Sequence, residues 1–139
     1  MTTSVSADIC VIGAGSAGLS VAAGASQLGK RVILCEKGKM GGDCLNYGCV
    51  PSKALIAAAS AAATARSASK FGVLVSEPRT EFTAVMDHVQ SIVDAIAPHD
   101  SQERFEGLGV TVIREAATFI DAQRVRAGEM VISAKFFVV

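Results

Sequence analysis

The sequence has no excess charge of either sign, because 13 Lys and Arg side chains balance 13 Asp and Glu side chains. A neutral chain has no electrostatic basis for binding nucleic acid or an anionic membrane, so neither is predicted as a partner. Long hydrophobic runs are also lacking, since the first apolar run, residues 9–12, is far too short to span a bilayer. The segment before this run has no basic region and no cleavage pattern, which argues against a signal peptide. We therefore expect a cytoplasmic location.

Metal ligands are sparse as well. The two histidines, His88 and His99, are isolated from each other and from the cysteines in sequence. Zinc sites usually combine C-x2-4-C with a second ligand pair downstream. Cys44 and Cys49 have four residues between them, and no Cys or His pair follows. No metal site is predicted, and both histidines are expected at the surface.

Residues 41–53, GGDCLNYGCVPSK, place these two cysteines five positions apart. On an ideal α-helix, Cα atoms at that spacing lie roughly 8–9 Å apart, whereas a disulfide needs about 4.4–6.8 Å. A bond between Cys44 and Cys49 therefore requires a distorted helical turn, for which Gly48 supplies the backbone freedom. A disulfide in imperfect geometry is easier to reduce, so the pattern indicates a redox-active pair. The alternatives are two free thiols that lie close by chance, or half of a metal site.

Lys53 lies four residues after Cys49, which is about one turn if the segment is helical. A nearby cation lowers the pKa of a thiol and favours the reactive thiolate. Pro51 suits the opening turn of a helix, where a missing N–H costs little. The alternative for Lys53 is an ordinary solvated lysine.

A second motif, GAGSAG at residues 13–18, lies between an apolar run at 9–12 and a helix-compatible stretch at 19–28. Another apolar run at 32–35 then ends at Glu36. The order of strand, glycine turn, helix, strand and acidic residue is typical of a dinucleotide-binding βαβ unit. A GxGxxG alone is weak evidence, because glycine turns are common, so the prediction depends on the full ordered unit.

Each glycine of this turn has an expected task. Gly13 permits the tight turn, Gly15 lets the backbone approach a pyrophosphate, and Gly18 allows close packing of helix on strand. The helix N-terminus offers N–H groups and a positive dipole end to phosphates. Glu36 is expected to accept a hydrogen bond from a ribose hydroxyl, and its charge would repel a 2′-phosphate.

Together, the two motifs resemble those of the class I flavoprotein disulfide reductases, a family that includes dihydrolipoyl dehydrogenase, glutathione reductase and mercuric reductase. The resemblance covers nearly the whole chain, through residues 13–18, Glu36, residues 41–53 and residues 116–119. It implies that the dinucleotide is FAD and that the enzyme uses NAD(P)H as co-substrate.

The resemblance also implies roles for single residues. Cys44 is the interchange thiol that attacks substrate, Cys49 contacts the flavin, and Lys53 lies beside the flavin ring, which makes these three the predicted catalytic residues. Ala117 falls where the family makes a backbone contact to adenine. The predicted cofactor-binding set is Gly13, Gly15, Ser16, Ala17, Gly18, Glu36, Lys37, Gly41, Gly42, Asp43, Cys44, Lys53 and Ala117.

The predicted fold class is α/β, a Rossmann-like FAD-binding domain with a parallel sheet and an antiparallel β-meander, truncated at the C-terminus. Apolar residues at helical spacing predict a helix over 82–97, with Phe82 and Met86 on its core face and Pro98 at its end. The other predicted elements are a helix through 54–68, a short extended piece at 73–75, a parallel strand at 110–113, meander segments at 116–120, 123–126 and 129–133, and a buried strand at 136–139.

A length of 139 residues leaves room for one domain. The family's enzymes are several times longer, so the resemblance implies that residues 1–139 are the N-terminal part of an FAD-binding domain. NAD(P), central and interface domains are then absent, as is the C-terminal histidine that deprotonates substrate. The fragment alone is expected to be inactive, and the full-length enzyme is expected to be a homodimer.

The substrate stays open at this stage. The Pro-Ser-Lys sequence differs from the Pro-Lys-Lys of glutathione reductases, which weakens that assignment. A lipoyl group or another small-molecule disulfide fits as substrate. Asp43 and Tyr47 fit the motif of mercuric reductases slightly better. Two rivals remain: a nucleotide-binding module without redox turnover, and a thiol scaffold that captures soft metal ions. Cys10 and Cys35, inside the apolar runs, are expected to be small buried hydrophobes without a function.

Overall fold

A computed structural model describes residues 3–139 of the chain, so the first two residues of the predicted domain lie outside it. The helices are α1 (Ser16–Gln27), α2 (Gly42–Asn46), α3 (Cys49–Ser67), α4 (Phe82–Ile96) and α5 (Gln102–Gly107). The strands are β1 (Thr3–Ile12), β2 (Val32–Cys35), β3 (Thr111–Ile113), β4 (Ala117–Asp121), β5 (Arg124–Ala127) and β6 (Met130–Val138).

The strands form one six-stranded sheet in the order β3-β2-β1-β6-β5-β4. Strands β1, β2, β3 and β6 run parallel, and the register pairs Ile9 with Val32 and Val11 with Val138. The β4–β5 and β5–β6 pairs are antiparallel and make the predicted meander. The α/β class with a parallel sheet and an antiparallel extension is therefore confirmed.

Two hydrophobic clusters cover opposite faces of the sheet, because successive side chains of a strand alternate between faces. Val11 and Leu34 pack beneath α1 and α5, where Phe105 is 1% exposed. Their neighbours Cys10 and Ile33 point to the other face and pack with residues of the meander. This core fixes the ends of β1 and β2, and those ends carry the predicted nucleotide motif.

Helices α3 and α4 pack mainly against each other, and α4 has few neighbours elsewhere. The predicted helix over 82–97 is confirmed, and it gives way to a 3₁₀ turn, Ala97–Asp100, at the proline. Its predicted core face is wrong for Phe82 and Met86, which are 69% and 41% exposed, whereas Val89 is buried. The reason is that the small alanine side chains of α3 cover only a narrow stripe of α4.

Residues 73–75, the predicted short extended piece of the connector between α3 and α4, are exposed and join no sheet. One strand prediction needs correction. The sequence predicts separate segments at residues 129–133 and 136–139, whereas the structure has one continuous strand, β6 (Met130–Val138), in their place. Phe136 and Val139 are 67% and 89% exposed rather than buried, since no helix within residues 3–139 covers them.

Within residues 3–139, no helix combines the length and the apolar character needed to cross a membrane.

Candidate active site

The glycine turn joins the end of β1 to the start of α1. Gly13 has φ of +105°, a left-handed conformation that glycine adopts without strain. A Cβ atom at Gly18 would overlap the carbonyl oxygen of Gly13 and lie 3.1 Å from Val11 Cγ1, so only glycine lets α1 pack this close to β1. A Cβ at Gly13 or Gly15 would meet no atom within 4 Å, which leaves open space beside the turn.

The N-terminus of α1 faces that turn. Gly15 is its N-cap in an extended conformation, and no side chain caps the helix. Ser16 and Ala17 open the helix and are exposed, while Leu19 in the next turn is buried against the sheet. The first backbone N–H groups of a helix have no partner inside it, so this end of α1 is suited to bind a phosphate group.

Glu36 follows β2 and reaches back to the glycine turn. Its Oε2 accepts a hydrogen bond from the Ala14 N–H at 2.7 Å, and its Oε1 accepts one from the Gly38 N–H at 2.5 Å. The backbone N–H of Glu36 donates to the carbonyl of Ile113 at 2.9 Å, which ties the residue to the end of β3. A half-buried carboxylate is thus fixed at the edge of the turn, where it can meet a ribose.

The second motif packs directly on the first. Gly41 and Gly42 both have positive φ, at +85° and +57°. A Cβ at Gly42 would lie only 2.7 Å from the Cα of Gly15, so two glycines from distant parts of the chain allow their backbones to approach. Helix α2, which carries Cys44, therefore begins against the N-terminus of α1.

The helix is interrupted between the two cysteines, as the spacing predicts. Cys44 lies in α2, which ends at Asn46, and Cys49 is the first residue of α3. A Cβ at Gly48 would lie 3.0 Å from the carbonyl oxygen of Asp43, so glycine permits a tight return of the chain. The Asn46 amide donates to the Met40 carbonyl at 3.0 Å and to the Gly42 carbonyl at 2.8 Å, which holds α2 in place.

The two thiols lie within hydrogen-bonding reach of each other. Cys44 is half-buried and Cys49 is exposed, and both are free thiols in the structure. The hydrogen bond from Cys49, followed by one from the Ser16 hydroxyl, lowers the pKa of Cys44. The same contact with Cys44 raises the pKa of Cys49. The positive charge of Lys53, one turn into α3, favours the thiolate at both sulfurs.

The other residues of the predicted cofactor-binding set lie further from the glycine turn or at its edge. Lys37 and Asp43 are exposed beside the motifs, on the loop after Glu36 and at the start of α2. Ala117 begins β4 and packs partly against the meander cluster. The structure brings Ser16, Gly42 and Cys44 together at the glycine turn, whereas the adenine contact of Ala117 stays a prediction.

Cys10 and Cys35 form a second pair of sulfurs, inside the core. They are 0% and 1% exposed on neighbouring strands β1 and β2. A hydrogen bond to Cys10, together with burial, raises the pKa of Cys35 far above its usual range. Both side chains are sealed in the core, in agreement with the sequence-based expectation of small buried hydrophobes.

Sequence reasoning missed two residues that shape the site. Asn46 was given no role, although its amide fixes the turn of α2. Arg114, which follows β3, donates to the Gly38 carbonyl and so braces the loop after Glu36. Asn46 lies inside the cysteine motif, so its position in the motif could have pointed to a role in the site. No local sequence pattern points to Arg114. Among residues 3–139, no three His, Cys, Asp or Glu side chains cluster as metal ligands.

The profile of one protein family, the pyridine nucleotide-disulphide oxidoreductases, matches residues 7–139. The chain belongs to this family. The resemblance drawn from the glycine turn and the cysteine pair is therefore confirmed at the level of the family.

Individual relatives agree with this family assignment. The chain is 36% identical over 115 residues to mercuric reductase from Streptomyces lividans, which is 82% of this chain and 24% of that protein. It is 34% identical over 122 residues to dihydrolipoyl dehydrogenase from Geobacillus stearothermophilus, which is 88% of this chain and 26% of that protein. The chain thus spans about a quarter of the length of these relatives.

A solved structure also shares the fold. The HOCl-induced flavoprotein disulfide reductase RclA from Escherichia coli, in a Cu(II) complex, superposes with a TM-score of 0.71 at 24% sequence identity. The match covers 94% of this chain and 27% of that protein. At this identity the likeness shows the fold, and it agrees with the α/β architecture described above.

Proposed function

We propose that this chain is the FAD-binding, disulfide-carrying part of an NAD(P)H-dependent dithiol–disulfide oxidoreductase, most like dihydrolipoyl dehydrogenase. Residues 1–139 then form the N-terminal part of the FAD-binding domain, and the nicotinamide is bound by regions of the enzyme outside this chain. Cys44, Cys49 and Lys53 are the proposed catalytic residues. Because the chain is about a quarter as long as its relatives, we expect no complete catalytic cycle from it alone.

One observation carries this proposal: the redox pair stands beside the nucleotide turn. The start of α2 is pressed onto the start of α1 through Gly42 and Gly15. Cys44 lies two residues into α2. A dinucleotide held at the glycine turn would lie beside the helix that carries Cys44, and electron exchange requires its flavin to come close to the cysteine pair.

The residues present fit FAD. Open space at Gly13 and Gly15, the uncapped N-terminus of α1 and the fixed carboxylate of Glu36 make a cradle for a pyrophosphate and a ribose. Bound FAD would supply a two-electron carrier between nicotinamide and disulfide. We propose that Lys53 favours the anionic form of the neighbouring sulfurs, since its charge acts on both cysteines.

The pair itself accounts for the exchange with substrate. The Cys44 thiolate attacks one sulfur of a substrate disulfide, which breaks the S–S bond, forms a mixed disulfide and releases the first substrate thiol. The Cys49 thiolate then attacks Cys44 Sγ, closes the Cys44–Cys49 disulfide and releases the second thiol. Two electrons pass from the pair to the substrate, and each released thiolate takes up a proton.

A lipoyl group or another small disulfide is the proposed substrate. The relative from Streptomyces lividans keeps mercuric ion as a second candidate, because two thiolates on one turn also suit a soft metal ion. Oxidation of NADH and of NADPH by the complete enzyme, with lipoamide, glutathione disulfide and mercuric ion in turn, separates these substrates. Turnover with mercuric ion alone would overturn the lipoyl assignment.

We also propose that the complete enzyme is a cytoplasmic homodimer. Four free cysteines suit a reducing compartment. Large apolar side chains on α3 and α4 are exposed, and these include Ile56 at 63% and Phe82 at 69%. Sedimentation analysis of the complete enzyme checks the dimer, and a monomer at micromolar concentration would contradict it.

A stoichiometric exchange tests the proposed chemistry on the chain as it stands. The reduced chain is mixed with lipoamide, and the products are followed by mass spectrometry and by the flavin absorption of the FAD-loaded protein. We expect one lipoamide reduced per chain, and a trapped mixed disulfide on Cys44 in a Cys49→Ser variant. A chain that binds no FAD, or a variant that traps no adduct, would contradict the proposal. The buried Cys10→Ser variant, outside the pair, is the control.

A further inference from the structure

Arg114 is the first residue after β3, at the edge of the sheet where the glycine turn also lies. We propose that Arg114 is a positioning residue for the nucleotide site. It fixes Gly38, and through Gly38 it keeps the carboxylate of Glu36 in place at the glycine turn. The inference rests on the proposed function only in taking this carboxylate as the group that binds the ribose.

The parallel pairing of β2 with β3 brings Arg114 beside the loop that follows Glu36. The register pairs Cys35 with Ile113, which are the last residues of the two strands. The Glu36 N–H donates to the Ile113 carbonyl at 2.9 Å and so extends this pairing beyond the strands. Glu36 and Arg114 therefore leave the sheet side by side, each as the first residue after its strand.

Gly38 links these two side chains. Its N–H donates to Glu36 Oε1 at 2.5 Å, and its carbonyl accepts a hydrogen bond from Arg114 Nη2. The second carboxylate oxygen, Glu36 Oε2, accepts a hydrogen bond from the Ala14 N–H at 2.7 Å. Three successive hydrogen bonds thus connect Arg114 to the glycine turn. A displacement of Gly38 would pull the carboxylate away from that turn.

A guanidinium suits this task because it presents several N–H donors in one rigid plane. Arg114 directs a second branch, Nη1, to the side-chain oxygen of Gln102 in a longer contact of 3.5 Å. Gln102 is the first residue of α5, and Phe105 of the same helix is buried in the core. One side chain therefore connects the loop at Gly38 to a helix that is anchored in the core.

The loop that Arg114 holds is exposed at Lys37, Gly38 and Lys39. The glycine at its centre has more backbone freedom than any other residue type. Ordering such a segment costs conformational entropy, which would weaken nucleotide binding if the ordering took place only on binding. Because Arg114 orders the loop in the free protein, the carboxylate is already in place when the ribose arrives.

The experiment is a double-mutant cycle on Arg114 and Glu36, measured by binding of ADP, the adenosine diphosphate half of FAD. Calorimetry gives the affinities for ADP and 2′-deoxy-ADP in the parent chain, Arg114→Met, Glu36→Ala and the double variant. We expect Arg114→Met to weaken ADP binding about 5-fold and to reduce the preference for ADP over 2′-deoxy-ADP, because a displaced carboxylate loses its bond to the ribose hydroxyl. In the Glu36→Ala background, the same substitution should change either affinity by less than about 2-fold.

Other roles of Arg114 predict different results. A direct attraction between its guanidinium and the phosphates would weaken ADP and 2′-deoxy-ADP equally, and the effect would persist in the Glu36→Ala background. A merely structural role would give the same two results. Either of them would overturn the proposal. Arg66→Met, at an exposed arginine near the end of α3, is the matched control and should leave both affinities unchanged.

Amide hydrogen exchange measures the same link without a nucleotide. Arg114 is exposed and lies outside both hydrophobic clusters, so its replacement leaves the core intact. We expect Arg114→Met to speed exchange of the Ala14 amide proton about 5-fold in NMR spectra, while Arg66→Met leaves it unchanged. Unchanged protection at Ala14 in Arg114→Met would overturn the proposal. If the parent chain binds neither ADP nor FAD, the proposed function fails, while exchange at Ala14 still decides the role of Arg114.

Discussion

At the scale of single residues, the four cysteines show how environment decides the chemistry of one side chain. Cys10 and Cys35 lie on adjacent strands with almost no exposed surface, so they act as apolar core residues. Cys44 and Cys49 flank a break between two helices, where solvent, a lysine and hydroxyl and thiol donors are all within reach. The same residue type is therefore structural in one place and reactive in the other.

Thiol accessibility gives a direct prediction at this scale. In the reduced native protein, we expect a thiol reagent such as DTNB to react rapidly with two of the four cysteines, because the other two are sealed in the core. The remaining two should react only after unfolding in guanidinium chloride. The Cys44→Ser/Cys49→Ser double variant is the control and should lose the rapid phase. Rapid reaction of all four thiols in native buffer would contradict the described burial.

Asp8 gives a pH-dependent prediction. Its carboxylate accepts a hydrogen bond from Lys135 Nζ at 2.7 Å, which together with the Arg31 backbone N–H lowers its pKa from 3.8 to about 2. A lowered carboxyl pKa in the folded state contributes stability that is complete above about pH 4 and is lost as the pH falls to about 2.

The Lys135→Met variant tests this linkage. We expect its free energy of unfolding to fall below that of the parent protein at pH 5, and the two curves to converge as the pH approaches 2. Urea titrations across this range measure the difference, which should be small because Lys135 is 70% exposed. Lys70→Met, in the exposed 3₁₀ turn Ala68–Phe71, is the matched control. A difference that grows towards acid pH would refute the assignment.

At the scale of secondary structure, glycine, proline and turn residues made the boundaries of most helices and strands predictable. The glycine turn predicts the start of α1, and Pro98 predicts the end of α4. The turn residues of the meander predict the boundaries between its strands. Apart from the two segments that proved to be the single strand β6, the predictions that failed concern burial. Phe82 and Met86 follow a helical apolar pattern, but the pattern cannot tell whether another part of the protein covers that face.

Helix α1 offers a matched pair of glycine substitutions. In Gly18→Ala the new methyl group would overlap the Gly13 carbonyl and crowd Val11, so we expect a loss of about 1–3 kcal/mol in unfolding free energy, or more. In Gly24→Ala the methyl group meets no atom within 4 Å, and the better helix propensity of alanine should stabilise the protein by about 0.5–1 kcal/mol. Urea unfolding of both variants provides the measurement. Equal effects would show that α1 does not pack on β1 through Gly18.

At the scale of the whole molecule, the site is made by a contact between two motifs that are 23 residues or more apart in sequence, residues 13–18 and residues 41–53. Each motif could be recognised in the sequence because its glycines, cysteines and spacing are local signals. The contact itself could not be predicted, because nothing at Gly15 or Gly42 alone specifies the other. It became visible only when the fold placed the start of α2 against the start of α1.

The Gly42→Ala variant tests whether this contact unites the site. A methyl group there would lie 2.7 Å from Gly15 Cα, and φ of +57° is strained for alanine, so α2 must shift away from α1. We expect two effects from this one substitution: a loss of about 1–3 kcal/mol in unfolding free energy and weaker FAD binding in fluorescence titration. Gly107→Ala, at the end of α5, where a Cβ meets no neighbour within 4 Å, is the control and should lower neither the unfolding free energy nor the FAD affinity. If stability falls while FAD affinity stays unchanged, the two motifs function independently and the contact is merely structural.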